Sequence, residues 1–522
     1  MQPSLLTIIA HARSGALDHA WRLFREAGLE DIDDDPAVLS VRGRLLKDRA
    51  LAAAGAARRG FYAQAALAYR QAGALSGDTY PLINAATLAL LGGDEAGAGA
   101  GARRVLEVLD AAPDQAETPY WRAATRAEAL LVLGDAEAAR AALVQAMALA
   151  PRAWEDHAST LRQFALILAA LGEEAGWLAA LRPPRTLHFA GHMALGAESQ
   201  AVARQAAELL EAERVGFGYG ALAAGTDIVI AEALLARGAE LHVVLPAAMD
   251  LFRAASVVPA GGDWAARFDA LIAAAESLRI VGSADDAGHP LAIRLAAEVA
   301  MGCAAMRAQA LETEAVQMVV VDASADQMGS SGWSVVKWAG SGRRQHALAI
   351  PRTPGAAAPP DAGTARLVAL LLVDFAETPR TELVETVLPR LAAIGGPPPL
   401  APPTWEGQRF TAAFTGPAEA AAFALDVAAV GARVAGAYGL TRQAADPFGG
   451  PGLLLGEVVT IPSQILAATP AGSIQVSDDF AAALHAAGAL PGLRTQYVGD
   501  LDAADPHQAT GIFALSRTAS DH

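Results

Sequence analysis

The spacing of hydrophobic residues divides the chain of 522 residues into three regions. Over 1–182, apolar positions recur with the period of amphipathic helices. Over 185–345, short apolar runs alternate with amphipathic segments, which predicts strands and helices in turn. Over 367–517, strands and helices follow a less regular order. The pattern predicts a multidomain chain: all-α helical repeats, then an α/β domain with a parallel sheet, then an α+β domain.

Glycine-containing turns interrupt the helical region at 91–94, 133–135 and 171–173. Each places an acidic residue directly after glycine, so we expect glycine to end one helix in a left-handed conformation and the acid to cap the next. The spacing of roughly 40 residues resembles tetratricopeptide-type helical hairpins, which repeat at ~34. Stacked hairpins leave a concave surface for a protein partner. The alternative is an ordinary helical domain that packs only on itself.

The middle region contains five apolar runs of strand length. They are Thr186–Phe189, Arg214–Phe217, Glu240–Leu245, Leu278–Val281 and Gln317–Val321. Because the runs are nearly continuous in apolar residues and alternate with helices, they predict a parallel sheet that is covered on both faces. Ligands of such sheets bind at the carboxyl ends of the strands.

A glycine-rich segment follows the second predicted strand. Gly218, Gly220 and Gly225 precede a helix that we expect to begin at Thr226. Glycine allows a ligand to approach the backbone closely, and a helix N-terminus offers free N–H groups to an anion. Any turn from strand to helix can contain glycines, however, and Asp227 can be a simple helix cap.

Together with Gly191 and His192 at the end of the first strand, this segment resembles the SLOG superfamily of Rossmann-like nucleotide-binding domains. The resemblance implies a nucleotide or nucleotide-derived ligand and these binding residues: Gly191, His192, Gly218, Gly220, Gly225, Thr226, Asp227 and Glu232. The LOG-type hydrolases of the superfamily have glutamate three residues after their Gly-Thr, where this chain has Val229. We therefore expect binding rather than cleavage, and Glu232 has a structural role on the helix as its alternative.

A segment rich in proline and alanine, 346–366, is predicted to be a linker. After it, an apolar strand ends at Asp374, and the segments 405–407, 456–464 and 472–477 follow. This succession resembles class III adenylate and guanylate cyclase domains over 367–517. The resemblance implies dimerisation, because cyclase domains of this class build their sites from two copies.

The residues that the cyclase resemblance requires for catalysis are mostly absent. Asp374 matches the first metal-binding carboxylate, but Gly407 stands at the second. Thr460 and Gln464 replace the asparagine and the arginine, and no lysine follows Lys337. Since loss of a transition-state arginine alone costs on the order of 10³–10⁵ in rate, we expect no catalytic residue and a vestigial metal ligand at Asp374.

The composition of the chain limits the kinds of molecule that it can bind. The chain has 39 basic and 56 acidic residues and a net charge of −17, which argues against nucleic acid or an anionic membrane surface. With Cys303 as its single cysteine, it cannot form an internal disulfide. The N-terminus has no secretory pattern, and no apolar run reaches the length that spans a bilayer. These features predict a cytoplasmic protein without a cofactor other than its ligand.

The sequence thus predicts a cytoplasmic signalling protein without chemistry of its own. In this interpretation the middle domain binds a nucleotide-like ligand, the cyclase-like domain forms a homodimer or pairs with another chain, and the helical repeats bind a protein partner. Two alternatives keep enzymatic activity. One is a subunit of a heteromeric nucleotide cyclase, and the other is a divergent nucleotide hydrolase that acts through the middle domain.

Overall fold

The computed structural model describes residues 4–13, 16–111, 117–193, 195, 198–282, 286, 288–322, 330–351, 364–396, 398–447, 452–488, 492–501 and 510–517. It divides into two compact units. One contains Met1–Pro183, Ala310–Glu312 and Arg517–His522, and the other contains Pro184–Gln309 and Thr313–Ser516. The regions predicted as separate domains at 185–345 and 367–517 therefore belong to one compact unit. None of the described helices is both long enough and apolar enough to cross a membrane.

The first unit is helical, as predicted. Its helices are α1 (Leu5–Arg13), α2 (Leu17–Glu26), α3 (Pro36–Ala52), α4 (Gly55–Ser76), α5 (Thr79–Gly92), α6 (Glu95–Ala111), α7 (Pro119–Val132), α8 (Ala136–Leu149) and α9 (Trp154–Leu171). Consecutive helices pack as hairpins from α3 to α6 and again in α7 and α8. One shared core of leucine, alanine and aromatic side chains runs through the unit.

Two of the three predicted turns have the expected caps. Gly93 and Gly134 adopt left-handed backbone conformations, and Asp94 and Asp135 accept N–H groups at the start of the following helices. The third turn differs. Gly172 is left-handed and ends α9, but a 3-10 helix at Gly176–Leu181 follows and leads into the first strand, so no further hairpin forms there.

The second unit begins with a sheet of six parallel strands. They are β1 (Arg185–Ala190), β2 (Val215–Gly220), β3 (Glu240–Leu245), β4 (Ser277–Ile280), β5 (Ala315–Val321) and β6 (Gln345–Ala349). The helices between them are α10 (Ser199–Ala212), α11 (Thr226–Ala236), α12 (Met249–Ser256), α13 (Trp264–Ala274), α14 (Pro290–Ala310) and α15 (Ser330–Ala339). The predicted parallel sheet is confirmed.

The strand order β4-β3-β2-β1-β5-β6 reverses direction at β1. Such a reversal opens a crevice at the carboxyl ends of the strands on either side of it. The sixth strand corrects the predicted linker, because 346–349 pair with β5 instead of leaving the sheet. Gln345–Ala349 alternates partly buried and exposed residues, as edge strands do, and so lacks the continuous apolar run of the other strands. The end of the predicted linker, 365–366, also belongs to a strand, and residues 352–363 lie outside the described part of the chain.

The rest of the second unit forms a mixed sheet. Its strands are β7 (Ala365–Asp374), β8 (Thr404–Glu406), β9 (Arg409–Phe414), β10 (Arg433–Ala444), β11 (Leu453–Leu455), β12 (Ile474–Ser477), β13 (Leu493–Asp500) and β14 (Gly511–Arg517). The main helices are α16 (Arg380–Glu382), α17 (Leu388–Ala392), α18 (Pro417–Ala428), α19 (Ile461–Ala468) and α20 (Asp478–Ala486), with a π-helical turn at Leu383–Val387. The order is β13-β14-β12-β10-β7-β9-β8, with β11 on β10.

Helix α14 contacts the mixed sheet through a buried polar cluster. Glu298, only 3% exposed, accepts a hydrogen bond from the Tyr438 hydroxyl at 2.9 Å and lies 2.6 Å from Lys337 Nζ. One turn later, Gly302 packs so closely on α20 that an added Cβ would overlap the Ala482 carbonyl oxygen. The two sheets therefore share one helix as part of their common interior.

Candidate functional site

A cavity of about 500 Å³ lies at the carboxyl edge of the parallel sheet, beside the reversal at β1. The ends of β1, β2 and β5, the loop before α11, and helices α12, α14 and α15 all contribute to its wall. Its lining residues include Phe189, Gly191, His192, Gly220, Asp227, Phe252, Ser256, Ile293, Ala296, Ala297, Ala300, Asp322, Ser331, Ser334 and Val335. The size and mostly apolar lining are typical of small-molecule sites.

Glycines allow the end of β1 to approach the start of α11. An added Cβ at Gly191 would overlap the Thr226 side chain. Gly225 has φ +115°, and its added Cβ would overlap the Met193 carbonyl oxygen. The Thr226 hydroxyl then donates to the His192 carbonyl at 2.9 Å. The predicted proximity of these two segments is therefore present, and its physical basis is close backbone packing.

The other two glycines lie within β2 rather than in a loop after it. Gly220 lines the cavity, but its missing side chain makes room for the Phe189 carbonyl and ring. Gly218 faces Leu234 of α11, where an added Cβ would overlap that side chain, and it does not line the cavity. Gly218 thus allows helix and strand to pack, which corrects its assignment to a ligand-binding loop.

Asp227 is the most distinctive polar group of the cavity. It is 6% exposed, and its Oδ2 accepts the Ala223 N–H at 3.2 Å. Its Oδ1 accepts no hydrogen bond of ordinary geometry from the described residues. Burial raises the pKa of Asp227 to about 7, although the backbone N–H groups of Ala223 and Gly191 oppose the rise. A buried carboxylate oxygen without a partner is costly, and its cost falls if a ligand supplies a donor.

His192 provides a second unpartnered atom. The residue is 9% exposed, and its Nε2 lies 3.0 Å from the Ile350 carbonyl oxygen. Because a carbonyl can only accept, Nε2 carries a proton, and in the tautomer that has its single proton there Nδ1 is an acceptor. Nδ1 has no hydrogen-bond partner among the described residues.

Glu232 does not reach the cavity. Both of its carboxylate oxygens are bound by Arg267 of α13, with Nε and Nη2 each at 2.7 Å. This bidentate pair fixes α11 to α13 on the outer side of the sheet. The structure therefore separates Glu232 from Asp227 and supports the structural role that was its alternative.

The sequence did not identify the wall that α14 and α15 form. Ile293, Ala296, Ala297 and Ala300 recur at helical spacing on one face of α14, a pattern that does not differ from ordinary core packing. Ser331 lies in the first turn of α15. Only a three-dimensional structure brings these residues to the ends of strands far from them in sequence.

The cavity contains no basic side chain among its described lining residues apart from the imidazoles of His188 and His192. Burial lowers the pKa of His188 to about 3, so that ring is neutral. Its Nδ1 accepts from Gln317 Nε2 at 3.0 Å, and its ring stacks on Trp338. A phosphate at this site would therefore have no lysine or arginine among the described lining residues, which qualifies the sequence-based expectation of a phosphate-binding loop.

Asp374 occupies the comparable edge of the mixed sheet, at the end of β7. It is 2% exposed, and Arg433 approaches Oδ2 with Nε at 2.8 Å and Nη2 at 2.6 Å. Oδ1 accepts the Ala376 N–H at 3.1 Å and lies 3.8 Å from Arg409 Nε. Both oxygens thus already have protein partners.

The other positions of the cyclase outline have ordinary structural roles. Gly407 has φ +64° in the tight turn between β8 and β9. The Thr460 hydroxyl donates to the Glu457 carbonyl, and Gln464 is exposed on α19. No group of three or more His, Cys, Asp or Glu side chains among the described residues could hold a metal ion.

Comparison with family models matches residues 5–89 to the family Tetratricopeptide Repeats-Sensor. The matched segment covers α1 to most of α5, so the beginning of the helical unit is tetratricopeptide-like. A comparison with curated proteins found no match.

Solved structures of nucleotide cyclases are similar to part of the chain. The guanylate cyclase domain of RhGC from Catenaria anguillulae, in complex with GTP, is 15% identical with a TM-score of 0.24; the similarity covers 29% of this chain and 97% of that one. The adenylyl cyclase CyaB from P. aeruginosa is 13% identical with a TM-score of 0.24, over 30% of this chain and 97% of that one.

Proposed function

We propose that this chain is a signalling protein that binds a nucleotide-like small molecule in the cavity of its parallel sheet. The observation that carries the proposal is the placement of Asp227, which lines that cavity and whose buried Oδ1 accepts no hydrogen bond of ordinary geometry from the described residues. Close packing at Gly191 and Gly225 brings the end of β1 to the start of α11 beside it, and the resemblance to the SLOG superfamily supports a nucleotide-like ligand there. Since Glu232 is bound to Arg267, the chain binds its ligand without hydrolysing it.

In this proposal, helix α14 relays occupancy of the cavity to the mixed sheet. Ala296 and Ala300 line the cavity, while Glu298, two residues from Ala296 and so on a different side of the helix, binds Tyr438 of β10. Helix α15 joins the same network, because Val335 lines the cavity and Lys337 pairs with Glu298. A ligand that shifts either helix would therefore alter contacts with the cyclase-like sheet.

The cyclase-like region acts in this proposal without cyclase chemistry. Its aspartate at the metal position is bound by Arg433, and its sequence lacks the remaining catalytic residues. It instead forms a homodimer, for which Leu453, Leu455 and Val459 offer exposed apolar side chains on and beside β11. The tetratricopeptide-like region binds a protein partner.

The proposal is tested by melting the full chain with a panel of nucleosides and nucleotides. A ligand that binds only the native state stabilises it by about 2.7 kcal/mol at a hundredfold excess over Kd. We expect at least one compound to raise Tm, and we expect the rise to disappear in Asp227→Asn but to persist in Glu232→Gln. No rise with any compound, or an equal rise in Asp227→Asn, would refute the proposed site.

Assembly is tested separately by light scattering on the full chain. We expect a dimer in the wild type and a monomer in Leu455→Asp, since a buried charge would disrupt an apolar contact. Leu149→Asp, which changes an exposed leucine of α8, serves as the matched control and should remain dimeric. A monomeric wild type, or a dimeric Leu455→Asp, would contradict dimerisation through β11.

A further inference from the structure

The chemistry of the cavity identifies what kind of group its ligand buries. Two residues that line it have an atom without a partner among the described residues, Asp227 Oδ1 and His192 Nδ1. Asp227 Oδ1 is an acceptor when the carboxyl group is ionised, and His192 Nδ1 is the acceptor of the ring tautomer whose Nε2 donates to the Ile350 carbonyl. Both side chains are more than nine-tenths buried, so bulk water does not readily replace a missing donor.

The charges of the residues that line the cavity also favour a ligand group that is not anionic. Asp227 and Asp322 contribute carboxylates, and no lysine or arginine is among the described lining residues. An anionic group would lie near these carboxylates with no side-chain cation to offset the repulsion. A group with N–H or O–H donors, neutral or positively charged, would satisfy the acceptors and keep the apolar remainder of the ligand against Phe189 and Phe252.

We infer that the cavity selects the donor-bearing, non-anionic end of its ligand, such as an amidinium, an amide or amino group, or a vicinal diol, and holds any phosphate outside. This inference deepens the proposed function and rests on the same cavity. It differs from the phosphate-binding arrangement expected from the glycine-rich sequence, because the glycines serve close packing of strand and helix.

Two probes of equal shape and opposite chemistry test the inference. Protonated benzamidine presents two NH₂ groups and a positive charge on an apolar ring, whereas benzoate presents two acceptor oxygens and a negative charge on the same ring. Titration of the full chain, followed by calorimetry or ligand-observed NMR, should give benzamidine an affinity at least about tenfold higher than that of benzoate, as expected for one charge-assisted hydrogen bond.

Isosteric variants locate the binding. In Asp227→Asn the amide oxygen can keep the bond from Ala223, while an NH₂ group replaces the free acceptor, so benzamidine affinity should fall about tenfold or more. Glu232→Gln changes a carboxylate on the same helix away from the cavity and should leave the affinity unchanged. Thermal melts of both variants establish that they are folded.

The outcomes separate this inference from the proposed function. Equal or stronger binding of benzoate, no binding of benzamidine, or unchanged binding in a folded Asp227→Asn would overturn the inference. Selective benzamidine binding in a protein that binds no nucleoside or nucleotide would support the donor-selective cavity and remove the nucleotide-like identity of the ligand. Nucleotide binding that depends on Asp227, together with a preference for benzoate, would support the proposed function and overturn the inference.

Discussion

The parallel and mixed sheets of the second unit each place a buried aspartate at the edge where chemistry is expected, and the two aspartates have opposite surroundings. Asp227 lines a cavity, and its described partners are backbone N–H groups: its Oδ2 accepts the Ala223 N–H, and the Gly191 N–H also stabilises its charge. Asp374 has both oxygens engaged, chiefly by Arg433. Because both aspartates are buried, the charge of their partners and not their burial distinguishes them.

The family resemblances of the sequence predicted the same difference between Asp227 and Asp374 on other grounds. Asp374 was expected to be vestigial because other catalytic residues are missing, and Asp227 was expected to bind because of its glycine-rich surroundings. In the structure, Arg433 neutralises the charge of Asp374, whereas burial disfavours the charge of Asp227. We therefore expect substitution of Asp374 to destabilise the folded protein and substitution of Asp227 by asparagine to stabilise it.

The largest expected effect is at the mixed sheet. Asp374→Ala should lower the free energy of unfolding by about 3 kcal/mol, because it leaves Arg433 partly buried without its carboxylate. Urea denaturation measures this, and Glu406→Ala, which removes an exposed carboxylate of β8 at the edge of the same sheet, should change stability by less than about 0.5 kcal/mol. Wild-type stability in Asp374→Ala would show that the ion pair is not structural.

The parallel sheet should respond in the opposite direction. Asp227→Asn should raise the free energy of unfolding at pH 8 by about 2 kcal/mol, because it removes a charge that burial disfavours. Since the folded pKa of Asp227 lies above its unfolded value, the contribution of this group to stability is greatest at low pH and is lost as the pH rises towards about 7.

The gain in Asp227→Asn should therefore be larger at pH 8 than at pH 5. Urea denaturation of both proteins at both pH values measures the difference. A gain that does not depend on pH, or a loss of stability at pH 8, would mean that ionised Asp227 is satisfied in the folded protein and would remove the contrast with Asp374.

Loss of the hydrogen bond that connects α14 to the mixed sheet should have a smaller effect on the free energy of unfolding. Tyr438→Phe removes the hydroxyl that donates to Glu298 and should destabilise the chain by about 1 kcal/mol. The Lys337–Glu298 pair remains in this variant, so the unit should still unfold as one. A change below the error of urea denaturation would argue that α14 and the mixed sheet are not coupled through this cluster.

The smallest expected effect is at Glu232. Its pair with Arg267 is partly exposed, so Glu232→Gln should cost at most about 0.5 kcal/mol. Differential scanning fluorimetry should also give the same ligand-induced rise in Tm as in the wild type. Loss of that rise would return Glu232 to the binding site and reopen the hydrolase alternative.

Local sequence patterns predicted the helical unit, the five main strands and the meeting of Gly191 with Thr226, because strand length, helix period and glycine turns are local properties. They failed where the deciding partner is distant. Arg267 lies 35 residues from Glu232, and Arg433 lies 59 residues from Asp374. Strand β6 was missed because its half-exposed pattern differs little from that of a loop.

We propose that the ligand binds at Asp227, beside the parallel sheet, and not at Asp374 in the mixed sheet. The most direct test of this proposal is the ligand-induced change in Tm of the wild type, Asp227→Asn and Asp374→Asn, with nucleosides and with nucleoside triphosphates plus Mg²⁺. We expect a ligand-induced rise in Tm that is lost in Asp227→Asn and retained in Asp374→Asn. A rise that requires a triphosphate with Mg²⁺ and disappears only in Asp374→Asn would contradict it.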